Sequence, residues 1–356
     1  MKILVYDIAA EDGGGLFVLK QFYQDVLQRH DNNKWLFIVS NNCIQSKENI
    51  SVKRYENVKK SYFHRWLFET IELKKIVKKM KPDLVISLQN MPIKGIEAKQ
   101  FTYLHQSLQY CPKRFSILRK NERNLAVRQK VICNIYKRYL PKSEHIFVQT
   151  NWIKEATQKW LNINDEKITV VPVCVNWEDI EEKDYQGKKS RVFFYPARAE
   201  MYKNHMVIIN ACRQLVEDGV KDFTILFTIK KGDNSYADEI IKLSKGLPIK
   251  FIGNIPYEQI WEYYRKTILL YPSYLETCGV PMLEARAIGG RIIASDMPFS
   301  HEDLDGYENV VYFSYNDSKE LAEKMKNSLE TPEYLVPEKK QDVCAESLAE
   351  SMLEKM

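Results

Sequence analysis

The chain has 356 residues, of which 45% are hydrophobic and 28% are charged, an ordinary globular composition that excludes the disordered and fibrous classes. This length is too great for one ordinary core and predicts two α/β domains of about 170 residues each. The net charge is +6. The seven cysteines form no CxxC pair, so we expect free thiols in a reducing compartment and a cytoplasmic protein. No stretch approaches the roughly 18 apolar residues of a membrane span.

Apolar, β-branched runs alternate with segments of helical periodicity along the chain. The first six predicted strands cover 3–9, 34–40, 83–88, 100–105, 145–150 and 168–173, and a second series covers 191–197, 223–229, 249–255, 268–273, 291–296 and 309–314. Because such alternation is typical of parallel sheets, the two series predict two Rossmann-like, doubly wound α/β domains. We expect a first domain over 1–175, a second over 176–338, and a C-terminal helix over 339–356 that packs back on the first domain.

Positive charge is concentrated in the first part of the chain. Residues 1–150 hold 27 Lys and Arg against 13 Asp and Glu. Segment 59–81 interleaves Phe63, Trp66 and Phe68 with basic residues. Segment 113–142 is also strongly basic, and its apolar residues at helical spacing predict a helix with a buried stripe, formed by Val127, Val131, Ile135 and Tyr139.

This basic surface either faces an anionic partner or is an ordinary solvated face. Lipid head groups and nucleic acid phosphates are the two partners that its charge would suit. We favour an anionic membrane surface, with the protein peripheral on the inner face of the membrane. Nucleic acid is the weaker hypothesis, because no nucleic-acid-binding motif accompanies the charge.

The loops after predicted strands are where an open parallel sheet binds its ligand. The first such loop holds Gly13–Gly15 before a helix, where glycines let backbone N–H groups approach an anion; a flexible turn explains them equally well. In the second series, strand 191–197 is followed by Arg198 and Lys203. Two cations there suit a diphosphate, and each is also ordinary as a solvated loop residue.

The segment YPSYLETCGVPMLEARAIGGRIIASD (271–296) carries two carboxylates eight positions apart. Glu276 lies in a loop after a strand, and Gly279-Val280-Pro281 starts a predicted helix that carries Glu284. We expect this bend to present free helix N–H groups and Glu276 to a ligand, with Glu284 along the same cleft. Carboxylates accept hydrogen bonds from hydroxyl groups, and the pair would also complement a helix dipole.

These segments resemble the family-four retaining glycosyltransferases, which have the GT-B fold, in which two Rossmann-like domains face a cleft. PSYLETCGVPMLEARAIGG resembles their E-x7-E signature, YPARAEMYKNH their Arg-x4-Lys phosphate clamp, and FIGNIPYEQIWEYYRKTILLYPS the stretch before the signature. GGG, YLHQSLQ and FVQTNWIKEATQKW resemble segments of the first domain, so the likeness covers most of the chain and is most specific over 191–296. Thr277-Cys278 stands where the family usually has Gly-Phe, which leaves the donor sugar open.

The resemblance implies a role for each matched residue. Arg198 and Lys203 would bind the donor diphosphate, Glu284 the ribose, and Glu276, with the backbone from Cys278 to Val280, the transferred sugar. His105 would contact the sugar or the acceptor, with a structural histidine as the alternative. The remaining residues of the predicted donor-binding set are Gly14, Gly15, Asn254, Gly279 and Leu283.

The sequence therefore predicts a retaining hexosyltransferase that moves a sugar from a UDP- or GDP-sugar to a glycan or lipid-linked saccharide in polysaccharide biosynthesis. No cofactor and no metal are expected, because Arg198 and Lys203 would stabilise the leaving diphosphate. Asp303-Leu304-Asp305 spells the DxD metal motif of another glycosyltransferase fold, and we interpret it as a surface turn. The alternatives are a nucleotide-sugar epimerase or sugar phosphorylase on the same fold, or a lipid- or nucleic-acid-binding scaffold without activity.

Overall fold

The computed structural model describes residues 1–11, 13–173, 190–330 and 347–356. These residues divide into two compact units. The first unit takes in 1–110, 128–172 and 347–356, and the second takes in 111–127, 173 and 190–330. The predicted domain boundary at 175 and 176 lies outside the described residues.

The first unit is built on a parallel sheet of seven strands in the order β3-β2-β1-β4-β5-β6-β7. The elements up to residue 172, with α4 belonging to the second unit, are β1 (Lys2–Asp7), α1 (Gly13–Gln28), β2 (Lys34–Val39), β3 (Ile50–Arg54), α2 (Tyr62–Leu67), α3 (Leu73–Met80), β4 (Leu84–Ser87), β5 (Gln100–Leu104), α4 (Arg123–Val127), α5 (Cys133–Tyr139), β6 (His145–Val148), α6 (Asn151–Leu161) and β7 (Ile168–Val170).

Both faces of this sheet are buried. Alternate residues of a strand point to opposite faces, so Ile3 and Val5 join one core with α1, whereas Leu4 and Tyr6 join another with Leu73 of α3. Two buried faces explain why the strands are continuous apolar runs and not alternating ones.

The second unit is a parallel sheet of six strands in the order β10-β9-β8-β11-β12-β13. Its elements are β8 (Val192–Tyr195), α7 (His205–Glu217), β9 (Thr224–Phe227), α8 (Ser235–Leu243), β10 (Ile249–Phe251), α9 (Tyr257–Lys266), β11 (Ile268–Tyr271), α10 (Val280–Ala287), β12 (Ile292–Ser295), α11 (Pro298–Asp303), β13 (Val310–Phe313) and α12 (Ser318–Glu330). The two doubly wound parallel sheets confirm the predicted fold class.

All twelve predicted strands are present, and among the described residues one further strand, β3, was not predicted. This strand, ISVKR, lies at the edge of the first sheet, and its burial pattern has only Ile50 fully buried. An edge strand with exposed polar side chains lacks the apolar run by which the other strands were predicted.

The predicted helix in segment 113–142 is present, but its predicted buried stripe is wrong at Val127 and Val131. The segment forms α4 and α5 with a wider π-type turn at Arg128–Ile132 between them. Such a turn rotates the residues that follow it relative to an α-helix. Val127 and Val131, expected in the buried stripe, are 48% and 51% exposed, and Leu125, Ala126 and Cys133 are buried instead.

A last helix, α13 (Leu348–Glu354), belongs to the first unit. Ala349 and Met352 are fully buried in the same core as Phe22 of α1. The predicted helix over 339–356 therefore falls partly here, and its residues 339–346 lie outside the described part of the chain. Within the described ranges, no helix is long and apolar enough to cross a membrane.

Candidate functional site

The strand order of the second sheet reverses between β8 and β11. β8 pairs with β9 on one side and with β11 on the other. Connections therefore leave these two strands in opposite directions, and the crevice at their carboxyl ends is the usual ligand site of a doubly wound sheet. The loop after β8 carries Arg198 and Lys203, and the loop after β11 carries Glu276.

Lys203 and Glu276 form an ion pair at this point. Lys203 Nζ lies 2.5 Å from Glu276 Oε1, and the two side chains are only 19% and 12% exposed. The Lys203 ammonium also lies 5.8 Å and 5.9 Å from the ring centroids of Tyr202 and Tyr271. The structure thus brings together Lys203, predicted to bind the diphosphate, and Glu276, predicted to bind the sugar.

The interpretation of Lys203 as a solvent-facing loop residue is wrong. Carboxylate and aromatic rings around the ammonium compensate for much of its lost hydration. Arg198, by contrast, is exposed, between the buried residues Ala197 and Ala199. Of the two predicted cations, Lys203 is mostly buried in an ion pair and Arg198 is exposed.

Buried hydroxyl and amide groups fix the loop that carries Lys203. Tyr195 Oη donates to the Lys203 carbonyl at 2.6 Å and lies 2.9 Å from Ser273 Oγ. Asn204, which has a left-handed backbone at φ 60°, donates from Nδ2 to the carbonyls of Pro272 and Tyr315 at 3.1 Å and 2.7 Å. These bonds tie the loop after β8 to the loop after β11, so Lys203 and Glu276 are preorganised.

The start of α10 is closed by a carboxylate from elsewhere in the sequence. The Gly279 N–H, expected to be free for a ligand, donates to Asp303 Oδ2 at 2.5 Å. A Cβ at Gly279 would collide with Met282 and would lie 3.2 Å from Asp303 Oδ2 and 3.3 Å from Tyr271 Cε1. A side chain at position 279 would therefore have to displace the Met282 methyl group and would crowd Asp303 and Tyr271.

The interpretation of the DxD segment as a surface turn is wrong for its first residue. Asp303 ends α11 and is 6% exposed, and burial raises the pKa of its carboxyl to about 7. Arg286 of α10 donates to the carbonyl oxygens of Asp303 and Asp305 at 2.8 Å and 3.1 Å. Asp303 thus holds both ends of α10.

Glu284 lies inside the second unit. It is 3% exposed, and its Oε2 accepts a hydrogen bond from Tyr264 Oη of α9 at 2.8 Å. Burial raises the pKa of Glu284 to about 7. Its predicted role at the ribose stays a prediction.

The other predicted donor-binding residues of the second unit surround α10 or follow the sheet edge. Cys278 is buried, and burial, with the nearby Asp303 and Glu276 carboxylates, raises the pKa of its thiol well above the ordinary value, which makes it a poor nucleophile. Val280 and Leu283 are half-buried on α10. Asn254 is exposed after the edge strand β10, two strands from β8.

In the first unit, the glycine-rich segment begins α1. Gly13 has a left-handed backbone at φ 56°, and a Cβ at Gly14 would meet nothing within 4 Å, whereas one at Gly15 would lie 3.9 Å from His105 Cε1. The preceding loop is held by Asp7, whose Oδ1 accepts from two backbone N–H groups, of Ala9 and Ala10, at 3.1 Å. Gly15 and His105, separated by 90 positions in the sequence, are thus neighbours.

His105 is fixed by three contacts. Its Nε2 lies 2.8 Å from the Leu88 carbonyl, its backbone N–H donates to Asn90 Oδ1 at 2.8 Å, and its ring stacks on Tyr103. Because a carbonyl only accepts, Nε2 carries the proton and Nδ1 is the acceptor. Burial lowers the pKa of His105, so the ring is neutral near pH 7.

The groups that support this site could not be predicted from the sequence. Tyr195, Ser273 and Tyr264 act through contacts across the sheet, and no spacing in the sequence marks them. Asp303 did carry a signal, the DxD pattern, but its position beside Gly279 follows from tertiary structure. Over the described ranges, no group of three or more His, Cys, Asp and Glu side chains is placed to hold a metal.

Comparisons with known proteins agree with this architecture. Residues 177–346 match the family model described as glycosyl transferases group 1. The O-antigen chain mannosyltransferase RfbU of Salmonella typhimurium is 27% identical over 213 residues, which covers 57% of this chain and 57% of that protein. The chain therefore aligns with little more than half the length of this curated relative.

Two solved structures extend the likeness over most of the chain. Sucrose-phosphate synthase of Thermosynechococcus elongatus has a TM-score of 0.71 and 16% identity, covering 93% of this chain and 90% of its own. HepE of Anabaena, solved with UDP and glucose, has a TM-score of 0.65 and 16% identity with the same coverage. Residues 177–346 are thus similar to glycosyl transferases group 1, and the chain has the GT-B fold.

Proposed function

We propose that this protein transfers a sugar from a nucleotide-diphosphate sugar to a saccharide acceptor in polysaccharide biosynthesis, with retention of configuration. The observation that carries the proposal is the Lys203–Glu276 ion pair at the point where the strand order of the second sheet reverses. It places a cation and a hydroxyl-binding carboxylate 2.5 Å apart in the crevice where doubly wound sheets bind nucleotides.

This pair suits the chemistry of a nucleotide-sugar donor. As the glycosidic bond lengthens, negative charge grows on the departing diphosphate, and preorganised cations stabilise that charge most in the transition state. Lys203 is held by its partners, and the exposed Arg198 guanidinium supplies a second, bidentate donor on the same loop. The Glu276 carboxylate accepts hydrogen bonds from sugar hydroxyls.

Retention of configuration is supported by the resemblance of the motifs to retaining enzymes. In that mechanism the departing phosphate takes the proton of the acceptor hydroxyl on one face of the sugar. The protein then needs no dedicated pair of catalytic carboxylates. No metal is part of the proposal, because the protein supplies both cations itself.

Names of similar proteins suggest where to look for donor and acceptor. HepE was solved with UDP and glucose, which supports UDP-sugars as first donors to test. RfbU is named as an O-antigen chain mannosyltransferase, and another protein of similar fold is a lipopolysaccharide outer core galactosyltransferase. These names support mannosyl and galactosyl donors and a glycan or lipid-linked saccharide acceptor.

The test is a donor screen followed by product analysis. UDP- and GDP-sugars are incubated with the protein without acceptor, and released nucleoside diphosphate is measured. The best donor is then tested with saccharide and lipid-linked acceptors, and proton NMR of the product gives the anomeric configuration. A product whose sugar keeps the α-configuration of the donor supports the proposal, whether it arises by hydrolysis or by transfer. A product with the inverted anomeric configuration contradicts the proposed stereochemistry.

The same screen separates the rival functions. An epimerase converts the nucleotide sugar without releasing the nucleotide, and a sugar phosphorylase acts on a saccharide and inorganic phosphate. The fold is shared with a UDP-GlcNAc 2-epimerase of Methanocaldococcus jannaschii, which has a TM-score of 0.58 and 16% identity. A scaffold without activity would bind none of the nucleotide sugars.

A further inference from the structure

The helical segment that contains α2 and α3 exposes a group of large apolar side chains. Tyr62, Phe63 and Trp66 are 85%, 64% and 57% exposed, and Leu67 and Ile71 are exposed as well. The rings of Phe63 and Trp66 stack on each other with centroids 5.9 Å apart. Single exposed apolar residues are common, but five within ten positions form a patch of the kind that marks an interaction surface.

The helical segment that carries this apolar patch is also rich in lysine. Segment 59–81 has eight Lys and Arg against two Glu. Arg65 is neutralised by Glu69 at 2.9 Å, and Lys59 by Glu11 at 2.8 Å. The exposed lysines of the segment are Lys60, Lys74, Lys75, Lys78, Lys79 and Lys81. We call the five apolar residues and these six lysines the aromatic-basic surface.

Helix α5 of the same unit carries further basic residues. Burial raises the pKa of Tyr136 on α5, and Arg65 of α2 and Arg128 both oppose that rise, which places α5 next to α2. Lys137 and Arg138, also on α5, are exposed. Helix α5 thus adds two exposed cations to the same unit.

We propose that the aromatic-basic surface docks on a lipid bilayer that contains anionic head groups. Exposed aromatic rings on a helix flanked by lysines are typical of helices that lie in the membrane interface. Leu67 and Ile71 favour lipid over nucleic acid, because aliphatic side chains gain from burial among acyl chains and gain little beside phosphates. The docking proposal does not depend on the proposed function, although docking would bring the enzyme close to a lipid-linked acceptor.

The test is co-sedimentation of the full chain with vesicles of phosphatidylcholine alone and with about one third phosphatidylglycerol, at low and high salt. Phe63→Ser/Trp66→Ser removes the stacked rings, and Lys78→Glu/Lys79→Glu reverses two charges. The matched control is Lys230→Glu/Lys231→Glu, which reverses two exposed lysines of the second unit. Circular dichroism confirms that each variant is folded.

We expect wild type and control to bind anionic vesicles in a salt-sensitive manner and to bind neutral vesicles at least about tenfold more weakly. Each of the two surface variants should lose about tenfold or more in partitioning, with hydrolysis of the nucleotide sugar unchanged. Equal binding to both kinds of vesicle, loss in the control alone, or binding to duplex DNA in place of vesicles overturns the proposal. Vesicle binding and nucleotide-sugar hydrolysis are measured separately, so a failure of the docking proposal can be distinguished from a failure of the proposed function.

Discussion

Replacing Lys203 by Met tests both the stability and the chemistry assigned to the ion pair. Met keeps most of the aliphatic volume that packs near Tyr202 and Tyr271 and removes the charge. Glu276, only 12% exposed, is then left without its partner at 2.5 Å. An unpaired, mostly buried carboxylate costs about 1–3 kcal/mol, so Lys203→Met should unfold at lower urea concentration than wild type.

The second part of the prediction concerns transfer. A cation aimed at charge that develops in the transition state supplies about 3 kcal/mol, on the order of a hundredfold in rate. Lys203→Met should therefore lose about that factor in kcat/KM for the nucleotide sugar. Arg198→Ala is the control for stability, because Arg198 is exposed and its removal should change the free energy of unfolding by less than about 0.5 kcal/mol while lowering transfer similarly.

The double variant Lys203→Met/Glu276→Gln separates the two effects. The glutamine amide introduced there carries no charge to leave unpaired, so the double variant should be more stable than Lys203→Met alone by about 1 kcal/mol or more. Its transfer should stay low, because neither the cation nor the carboxylate is restored. Full transfer by Lys203→Met, or a double variant no more stable than the single one, would refute the reasoning.

Three further predictions concern α10 and its supporting carboxylate. Burial raises the pKa of Asp303 from 3.8 to about 7. The protonated carboxyl therefore stabilises the folded state fully below pH 4, and this stabilisation is lost as the pH rises from 4 through 7. The loss in free energy of unfolding amounts to about 4 kcal/mol at most. Urea unfolding from pH 4 to 8 should accordingly give a flatter pH dependence for Asp303→Asn than for wild type, and equal slopes would contradict this. Gly279→Ala should lower stability by about 1–3 kcal/mol because its Cβ would collide with Met282, which thermal unfolding measures; an unchanged Tm would count against the close packing. Transfer should survive EDTA in wild type and in Asp305→Asn, and complete loss on chelation would point to a metal.

The sheets could be predicted from sequence because their strands are buried on both faces. The run ILVY (3–6) has no charged residue and does not alternate between apolar and polar positions, so it is predicted as a parallel strand without knowledge of its neighbours. β3 escaped this reasoning because at the sheet edge only Ile50 is fully buried. The helix of α4 and α5 was predicted, but its buried face was wrong at Val127 and Val131, because one π-type turn shifts the phase on which helical periodicity depends.

The candidate site also contains features that could be predicted from the sequence and features that could not. Arg198, Lys203 and Glu276 could be predicted because they follow strands whose carboxyl ends meet. The burial of Lys203 could not, because its partner Glu276 lies 73 positions away. Asp303 reaches Gly279 across 24 positions, and such long-range pairs leave no periodic signal in one sequence.

The central claim is that the loop after β8 binds the diphosphate of a sugar nucleotide. Isothermal titration of UDP and GDP, and then of their sugars, into wild type and Arg198→Ala tests it most directly. Lys221→Ala is the control, because Lys221 is exposed and precedes β9 at the amino ends of the strands. The account predicts at least about tenfold weaker binding for Arg198→Ala and none of this loss for Lys221→Ala. Equal affinity for all three proteins, or no binding to wild type, would contradict it.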